Sequence, residues 1–483
     1  MQNRMPLVEA MLKYKNEKVY PFHTPGHKGG RGMEALLKNE LGAGAVAMDV
    51  SLMSELDDIH APSSYIMEAQ NLAAQLYSSD RCFFAVNGTT GAIHAMLIAA
   101  CKAGDKVLVP RNAHRSVAGA LLLANLEPVF AMPEYDAVFG INTQITPQAV
   151  EAMFARHADI KAVLVTSPNY YGQAADLKAI ARIAHSHNAA LLVDEAHGPH
   201  LGFSSKLPPS ALQCGADACA QSTHKILGAM TQCSLLHVKG GRINLTRAAE
   251  AVSLLTTTSP NYLLMASIDA ARYTLAVQGD KLIERALTAV EKLRKCLSKF
   301  AGLKLLDAGC TGKNGIAGFD CTKVTVNTAA WGYSGTEAGD ALRKAGIAVE
   351  LTDAQNVLFL VTFADGGAEY NAVLEKISSV FAGLEQHKRA PLKEQNCWKL
   401  PEFVTAVPLR SAFDAETESL PLQEAEGRIC AEQVSFYPPG IPVLWPGELV
   451  TAAVIDYCLR MKKLGLPVSG PADYTLTELR VIK

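Results

Sequence analysis

The sequence lacks the features that mark a membrane-spanning, secreted or nucleic-acid-binding protein. No apolar run approaches the roughly 20 residues that a helix needs to cross a bilayer. The segment from Met1 to Tyr20 interleaves Arg, Lys and Glu and has no apolar signal core. A formal net charge of −2 gives no electrostatic reason to expect nucleic acid or an anionic membrane as a partner. We therefore predict a soluble, cytoplasmic protein.

The cysteines are arranged unlike those of a metal site or a disulfide framework. Eleven are scattered along the chain and none forms a CxxC pair. Cys214 and Cys219 are the nearest two, and no Cys or His pair at zinc spacing lies beside them. We predict that most are small buried side chains in a reducing compartment, and that the protein has no metal site.

What the sequence does have is ample material for a buried core. Its 483 residues are 49% hydrophobic and 19% charged, which predicts two or three domains. Short, continuously apolar runs alternate with Ala-rich segments of helical period, a pattern typical of an α/β protein with a largely parallel sheet wrapped by helices. The predicted strands are Cys82–Val86, Lys106–Val109, Ala162–Thr166, Ala190–Val193, Ala216–Ala220 and Ser234–Val238, and the predicted helices are Gly91–Lys102, Ser116–Ala124, Thr146–Arg156 and Asp176–His187.

The rest of the chain predicts further, smaller units. A long helix at Leu263–Lys299 would lead out of the sheet domain, and strands at Lys323–Val326 and Val357–Thr362 indicate a smaller α/β domain. Arg389–Leu400 is charged and reads as a linker, and Tyr437–Pro442 is too rich in Pro for sheet or helix, which predicts a rigid loop. The predicted domains are residues 1–78 (an N-terminal arm and segment), 79–280 (the large sheet domain), 281–388 (the small α/β domain) and 389–483 (a C-terminal domain).

Polar and reactive residues follow the predicted strands. The carboxyl ends of parallel strands are where α/β sheets build their functional sites. The segments at these ends are Asn87-Gly88-Thr89-Thr90-Gly91, Arg111-Asn112-Ala113-His114, Ser167-Pro168-Asn169-Tyr170-Tyr171-Gly172, Asp194-Glu195-Ala196-His197 and Ser222-Thr223-His224-Lys225. The chemistry-bearing residues therefore concentrate where this architecture places a site.

Two of these residues suit the cofactor pyridoxal 5′-phosphate (PLP). Lys225 could form an imine with the cofactor, and the hydroxyl and imidazole donors of Ser222, Thr223 and His224 beside it suit a phosphate. Asp194 ends a buried apolar strand, where a carboxylate is unfavourable unless a cation faces it. The pyridinium nitrogen of PLP is such a cation, and an aspartate there maintains the electron-sink character of the ring.

The remaining segments add possible contacts to the same cofactor. Thr89 and Thr90 follow a strand and open a helix, whose N-terminus attracts an anion, although the spacing is neither Walker A nor GxGxxG. His114 could stack on the pyridine ring, and His197 could reach its phenolic oxygen.

Each segment alone has an equally ordinary explanation. Lys225 could be a solvated loop lysine, Asp194 a helix N-cap, and Thr89 the start of a capped helix. His114 and His197 could be hydrogen-bonded loop histidines. Their common order and placement at one sheet edge is what favours a PLP enzyme.

Further segments of the chain, taken together, resemble those of a known protein family. They are Phe22-His23-Thr24-Pro25-Gly26-His27-Lys28, Ser54–Pro62, Thr256–Tyr262, Leu264–Asp269, Tyr437–Pro442 and Pro446-Gly447-Glu448. With the segments above, they make the chain resemble, over nearly its whole length, the Orn/Lys/Arg decarboxylase family of the aspartate-aminotransferase (type I) PLP fold. The resemblance is to the short bacterial form, and most to arginine decarboxylases.

The resemblance implies roles for individual residues. Lys225 would be the Schiff-base lysine and Asp194 the partner of the ring nitrogen, while His114 would stack on the ring. The phosphate would be held by Thr89, Thr90, Ser222 and His224. His197 would lie near the ring; larger family members have Trp there, and also an extra N-terminal receiver-like domain that this chain lacks.

The resemblance also implies an assembly and a reaction. The site would be shared across the two-fold axis of a homodimer or higher homo-oligomer, with Thr257, Thr258 or Ser259 completing the neighbour's phosphate pocket. The enzyme would decarboxylate a basic amino acid to its amine and CO2 for polyamine biosynthesis, with arginine favoured and lysine or ornithine close behind. Lys225 or His224 would return a proton to Cα.

Two points stay open from the sequence. The carboxylates of Glu55, Asp57 and Asp58 are candidates to bind the distal cationic group of the substrate, or they form a solvated acidic loop. The chain could instead be another type I PLP enzyme, such as an aminotransferase or aldolase, or a non-catalytic PLP-binding homologue. Retention of both Lys225 and Asp194 argues against the last alternative.

Overall fold

Helices and strands alternate along most of the chain. The structure is a computed structural model that describes residues 2–392, 399–437 and 440–483. Its helices are α1 (Pro6–Glu17), α2 (Ala35–Leu41), α3 (Ala43–Val46), α4 (Tyr65–Tyr77), α5 (Gly88–Ala100), α6 (Arg115–Leu123), α7 (Pro147–Arg156), α8 (Leu177–Ser186), α9 (Thr223–Ile226), α10 (Leu245–Leu255), α11 (Tyr262–Leu297), α12 (Gly335–Lys344), α13 (Tyr370–Gln386), α14 (Leu409–Asp414) and α15 (Ala452–Lys463).

The strands are mostly short and buried. They are β1 (Arg81–Ala85), β2 (Lys106–Pro110), β3 (Glu127–Ala131), β4 (Tyr135–Asp136), β5 (Ile141–Asn142), β6 (Ile160–Thr166), β7 (Gln173–Ala175), β8 (Ala190–Asp194), β9 (Ala218–Ser222), β10 (Ser234–Val238), β11 (Lys304–Leu305), β12 (Ile316–Phe319), β13 (Lys323–Asn327), β14 (Leu351–Thr352), β15 (Asn356–Leu360), β16 (Thr417–Pro421), β17 (Val434–Phe436), β18 (Ile441–Leu444), β19 (Val468–Ser469) and β20 (Glu478–Ile482). Every predicted strand and helix is confirmed to within a few residues.

Local signals explain where several helices begin. The Thr146 side chain accepts a hydrogen bond from the Ala149 N–H at 3.1 Å, and Pro147 occupies the first turn of α7. Asp176 caps α8 in the same way. Ser334 and Glu337 form a reciprocal capping box at the start of α12.

The chain divides into two compact units. Unit 1 comprises Met1–Ala100, Ala190–Ser205 and Pro209–Ile283, and unit 2 comprises Cys101–Ala189, Lys206–Pro208 and Glu284–Lys483. The four domain boundaries predicted from the sequence stay a prediction.

Unit 1 contains four neighbouring strands in the order β1-β10-β9-β8. β8 and β9 are parallel, and β10 is antiparallel to both β1 and β9, so β1, β8 and β9 all run in one direction. The five residues of β8 are all buried, as are those of β9 and β10, and burial on both faces explains why these strands are mostly apolar. Helix α5 packs on this layer and α10 packs on α5.

Unit 2 contains the parallel strands β6-β2-β3 and a separate four-stranded sheet in the order β11-β13-β15-β14. All pairs in the latter are antiparallel. Its core includes Trp331 and Phe381, packed with residues of α11 and α12. The parallel pairs in both units, with helices packed on them, agree with the predicted α/β class.

One prediction about the C-terminal region is wrong. The segment Tyr437–Pro442 is not wholly a loop, because Ile441 and Pro442 belong to β18, which pairs with β17. β18 lies at the edge of the three-stranded sheet β18-β17-β19, and an edge strand tolerates Pro because one side of it needs no ladder hydrogen bonds. Pro438 and Pro439 lie outside the described residues, as does part of the predicted linker Arg389–Leu400.

Buried polar contacts of Arg111 tie β18 into unit 2. Its guanidinium donates to the carbonyl oxygens of Pro442 and Val443 at 2.6 and 3.0 Å, and to Glu448 Oε2 at 2.8 Å. The pair Arg111–Glu448 is almost fully buried. Glu448, in the Pro446-Gly447-Glu448 segment noted in the sequence, therefore has a structural role as the partner of Arg111.

No helix in the described part of the chain is both long enough and apolar enough to span a membrane.

Candidate active site

Three of the predicted segments meet at one edge of the unit 1 strands. β1 and β9 end at this edge and β10 starts there: Ala85 is opposite Ser234, and Ser234 is opposite Ser222. β8 ends beside them, since Asp194 pairs with Ala220 of β9. The loops that follow β1, β8 and β9 therefore emerge side by side, carrying the Thr89, Asp194 and Lys225 segments.

Lys225 lies in the short helix α9 and is partly buried. Its Nζ is 2.9 Å from Nε2 of His197, which is itself buried. An imidazole nitrogen can accept a hydrogen bond from the lysine and can take up its proton. This contact suits a lysine that must lose its proton in order to react.

Asp194 is 3% exposed, and its Oδ1 accepts a hydrogen bond from the Ala196 N–H at 3.2 Å. Burial raises the pKa of Asp194, while the charge of Lys225 and the Ala196 hydrogen bond act in the opposite direction. Within the described ranges no ion pair neutralises this carboxyl. Asp194 and Lys225 are thus electrostatically coupled, and Asp194 is a buried acid suited to a cationic ligand atom.

A cluster of buried hydroxyls lies at the same edge. Thr89 Oγ1 is hydrogen-bonded to Ser222 Oγ and is 2.7 Å from Ser234 Oγ. Thr223 Oγ1, next in the chain, is buried and has no hydrogen-bond partner among the residues that the structure describes. Gly88, at the start of α5, has open space around it, since a Cβ there would meet nothing within 4 Å. These hydroxyls and the helix N-terminus can together accommodate a phosphate.

His224 and Thr90 lie at this edge with different exposures. His224 Nδ1 is 2.9 Å from the Cys233 carbonyl oxygen, so Nδ1 carries a hydrogen and Nε2 is the other ring nitrogen. Thr90 is exposed in the first turn of α5. Their roles in holding a phosphate stay predictions.

His114 belongs to unit 2. It caps α6, and its Nδ1 accepts a hydrogen bond from the Ser116 N–H at 3.2 Å. Its predicted stacking role stays a prediction.

Family models match most of the chain. The model for "Orn/Lys/Arg decarboxylase, major domain" matches residues 5–324, and that for "Orn/Lys/Arg decarboxylase, C-terminal domain" matches residues 400–470. The chain belongs to the Orn/Lys/Arg decarboxylase family.

Individual relatives agree with this family. An arginine decarboxylase of Bacillus anthracis is 41% identical over 100% of this chain and 98% of its own length. The solved lysine decarboxylase LdcF of Francisella novicida superposes with a TM-score of 0.85 at 23% identity, covering 100% of this chain and 81% of that one. A structure of SPT with PLP superposes with a TM-score of 0.51 at 17% identity, covering 66% of this chain and 76% of that one.

Membership in the Orn/Lys/Arg decarboxylase family confirms two predictions made from the sequence. The fold is the α/β architecture of PLP-dependent decarboxylases and transferases, with a mostly parallel central sheet. The protein is an amino-acid decarboxylase that acts on a basic amino acid.

The sheet edge fits the cofactor that this family implies. Asp194 offers a buried carboxyl with no ion-pair partner among the described residues, and the buried Thr223 hydroxyl offers a donor without an acceptor there. The space at Gly88 lies beside the Thr89–Ser222–Ser234 hydroxyls. Lys225 supplies the amino group. Asp194 would hold the ring nitrogen of PLP, and the hydroxyls would hold its phosphate.

The acidic loop proposed for substrate binding is partly structural in this decarboxylase. Asp57 is 5% exposed, and its carboxylate accepts hydrogen bonds from the backbone N–H groups of Ser63, Ser64 and Ile66, each at 2.9 Å. Burial would raise the pKa of Asp57, but these hydrogen bonds outweigh it and lower the pKa. Asp57 therefore holds the start of α4, which leaves Glu55, exposed, and Asp58, half-buried, as the candidates from this loop.

The sequence analysis missed two members of the site's surroundings. Ser234 joins the hydroxyl cluster because β10 is antiparallel and starts where β9 ends; its only sequence signal is a serine opening an apolar run. Glu195 is 1% exposed and accepts hydrogen bonds from Gln221 Nε2 and the Ala211 N–H, each at 2.7 Å. Burial raises the pKa of Glu195 to about 7. Its position directly after Asp194 was the available signal.

Proposed function

We propose that this protein is a PLP-dependent arginine decarboxylase, which converts arginine to agmatine and CO2 for polyamine biosynthesis. The observation that carries the proposal is that Lys225 and Asp194 lie at one sheet edge, beside buried hydroxyls. Lys225 supplies an amine next to an imidazole, and Asp194 supplies a buried carboxyl coupled to it.

PLP, when bound, would supply an electron sink for the electron pair left on Cα as CO2 departs. Lys225 would hold the cofactor covalently through Nζ, and Asp194 would bind the ring nitrogen and keep it protonated. Thr89, Ser222 and Ser234 would donate to the phosphate, with Thr223 satisfied in the same contact. Thr90, His224 and His114 complete the proposed set.

The chain's own residues would manage the protons. His197 Nε2, at 2.9 Å from Lys225 Nζ, can accept the proton that this lysine must lose before it reacts. After the bond between Cα and the carboxyl carbon breaks, Cα needs one proton to form the amine. Lys225 Nζ or His224 would deliver it; the Nδ1 of His224 is bound to the Cys233 carbonyl oxygen, which leaves Nε2 as the nitrogen proposed for this role.

Arginine is proposed as the substrate because the family member from Bacillus anthracis, 41% identical over this whole chain, is an arginine decarboxylase. The solved structure with TM-score 0.85 is a lysine decarboxylase, but at 23% identity it supports the fold and not the substrate. Glu55 and Asp58 are the proposed carboxylates for the guanidinium.

We also propose a cytoplasmic homodimer, or a higher homo-oligomer, with shared active sites. Thr257, Thr258 and Ser259 are exposed in unit 1. Residues that contact the phosphate bound by a neighbouring subunit must be exposed when one chain is considered alone. His60 Nε2 is 3.1 Å from the Thr257 carbonyl oxygen and fixes this segment against the acidic loop. Ten cysteines lie in the described residues and none is in a disulfide, which supports a reducing compartment.

The experiment is a product assay on purified, PLP-loaded protein. Arginine, lysine and ornithine are supplied separately, and agmatine, cadaverine and putrescine are separated by chromatography while CO2 is trapped. We expect agmatine and CO2 in equal amounts, with the highest kcat/KM for arginine. A preference for lysine or ornithine would contradict the substrate, and turnover that requires an added keto acid would indicate transamination instead.

A further inference from the structure

A cavity in the N-terminal part of unit 1 is lined by positively charged side chains. Its volume is about 190 Å³. The cationic lining consists of Lys15, Lys18, Lys28 and Arg31, with His23 beside them. The lining contains a single acidic residue, Asp49, whose Oδ2 is 3.1 Å from Nε2 of His27. The cavity therefore has a strong excess of positive charge in a protein whose net charge is −2.

These four cations have no carboxylate partners of their own. None of them forms an ion pair within the described residues, whereas Arg4, in the same segment, pairs with Glu9 at 2.7 Å and with Glu68 at 2.6 Å. Like charges brought together around one cavity repel each other. An anion bound between them would relieve this repulsion.

Local contacts direct several of these side chains. The Arg31 guanidinium lies 4.4 Å from the centre of the Tyr20 ring. Lys28 Nζ donates to the His23 carbonyl oxygen at 2.5 Å. Lys15 Nζ lies near Gly44, where an added Cβ would be 3.6 Å away. Tyr20 and His23, in the loop after α1, thus contact Arg31 and Lys28, and the α3 turn lies next to Lys15.

We propose that this cavity binds a polyvalent phosphate anion. The cavity is large enough to hold phosphate or diphosphate. Lysine and arginine are the usual ligands of such anions. The site differs from the Thr89–Ser222–Ser234 cluster, which offers neutral hydroxyls, and it does not depend on the proposed decarboxylase activity.

The test is calorimetric titration of the full-length, PLP-loaded protein with inorganic phosphate and diphosphate. The buffer contains no phosphate, and sodium chloride keeps the ionic strength constant. We expect saturable binding of both ions, tighter for diphosphate. Lys15→Gln and Lys28→Gln should each weaken binding about tenfold, because each removes one charged hydrogen-bond donor. Lys13→Gln is the matched control: the same change on the same helix, at an exposed residue outside the lining.

Three results would overturn the proposal. They are the absence of saturable heat with either anion, an equal loss in the Lys13→Gln control, and undiminished binding in the Lys15→Gln/Lys28→Gln double variant. Circular dichroism checks that each variant is folded, and Lys18→Gln, at an exposed residue, repeats the test if either half-buried position is intolerant. Titration with ADP separates the sources: tighter binding than diphosphate supports a nucleotide's phosphates as ligand, and equal or weaker binding supports the free ions.

Discussion

Two lysines that the fold withdraws from solvent have opposite surroundings. Lys323, in β13 of unit 2, is fully buried, and its ammonium donates to the carboxylate of Asp320. Lys225, in unit 1, is partly buried, and its Nζ contacts the imidazole of His197 at 2.9 Å. Asp194 acts on Lys225 through its charge, so both lysines have a carboxylate nearby. The difference lies in the direct contact: Lys323 donates to a carboxylate, whereas Lys225 contacts an imidazole nitrogen that can take up a proton.

The carboxylates of the two regions differ in the same way. Asp320 is saturated, since its Oδ1 also accepts hydrogen bonds from the Thr322 N–H at 3.1 Å and hydroxyl at 2.7 Å. Asp194 accepts a hydrogen bond from Ala196 and has no ion-pair partner in the described ranges. One acid is satisfied by the folded chain, and the other is suited to a ligand.

The strongest test of this comparison is Lys225→Ala. We expect turnover of arginine to fall by about 10⁴-fold or more, because the variant cannot hold the cofactor covalently. The visible absorption band of the lysine-bound cofactor should disappear, while urea unfolding of the cofactor-free protein should change little. Product assay and absorbance spectra measure both effects, and persistent turnover would reject Lys225 as the catalytic lysine.

Lys323→Met should have the opposite signature. Removing the ammonium leaves Asp320 buried and unpaired, which should lower the free energy of unfolding by about 3–5 kcal/mol. Urea denaturation measures this change, and kcat of the folded protein should stay near the wild-type value. Lys161→Met, at an exposed lysine of unit 2, is the control for loss of charge alone. If Lys323→Met lost kcat but not stability, the proposed difference between a structural Lys323 and a catalytic Lys225 would be wrong.

Asp194→Asn should lower activity while it raises the stability of the cofactor-free protein. We expect kcat/KM to fall by roughly 10²–10³-fold, because the ring nitrogen loses its anionic partner. The cofactor-free variant should be more stable than wild type at neutral pH. Since burial raises the pKa of Asp194, its contribution to stability is present below its unfolded pKa and is lost as pH rises through the folded pKa. An amide does not ionise, so a less stable cofactor-free variant at neutral pH would contradict this account.

Glu195 extends the comparison to a buried acid held only by neutral donors. Its pKa of about 7 exceeds the ordinary value of 4.5 because of burial. Stability from this group is therefore full below pH 4.5 and is lost between pH 4.5 and about 7, by about 3 kcal/mol in all. Glu195→Gln should flatten the pH dependence of the unfolding free energy in that window, and Glu250→Gln, at an exposed residue of the same unit, should not. Equal profiles for the two variants would refute the assignment.

The sequence was sufficient for the elements and for most of the site's location. Cys82–Val86 and Ala190–Val193 are continuously apolar and Ser234–Val238 is mostly so, as is typical of strands that are buried on both faces. Asp194 and Lys225 could be placed together because the carboxyl ends of parallel strands share an edge.

The rest depended on contacts between residues far apart in the chain. Ser234 reaches the hydroxyl cluster only through the antiparallel register of β10, which no local pattern specifies. The sequence allows Asp57 to be a solvated acid, but its carboxylate accepts hydrogen bonds from backbone N–H groups at the start of α4. The prolines of Tyr437–Pro442 predicted a loop. Pro442 nevertheless lies in an edge strand, because β18 pairs with β17, and the local sequence does not show this pairing.

The hydroxyl cluster also has a consequence for the order of events during synthesis. Thr89 forms hydrogen bonds with Ser222 and Ser234, which follow it in the chain by 133 and 145 positions. A nascent chain that has emerged only as far as β9 contains Thr89 and Ser222 but neither Lys225 nor Ser234. The hydroxyl cluster can therefore be completed only after β10 has been synthesised, about halfway along the 483-residue chain.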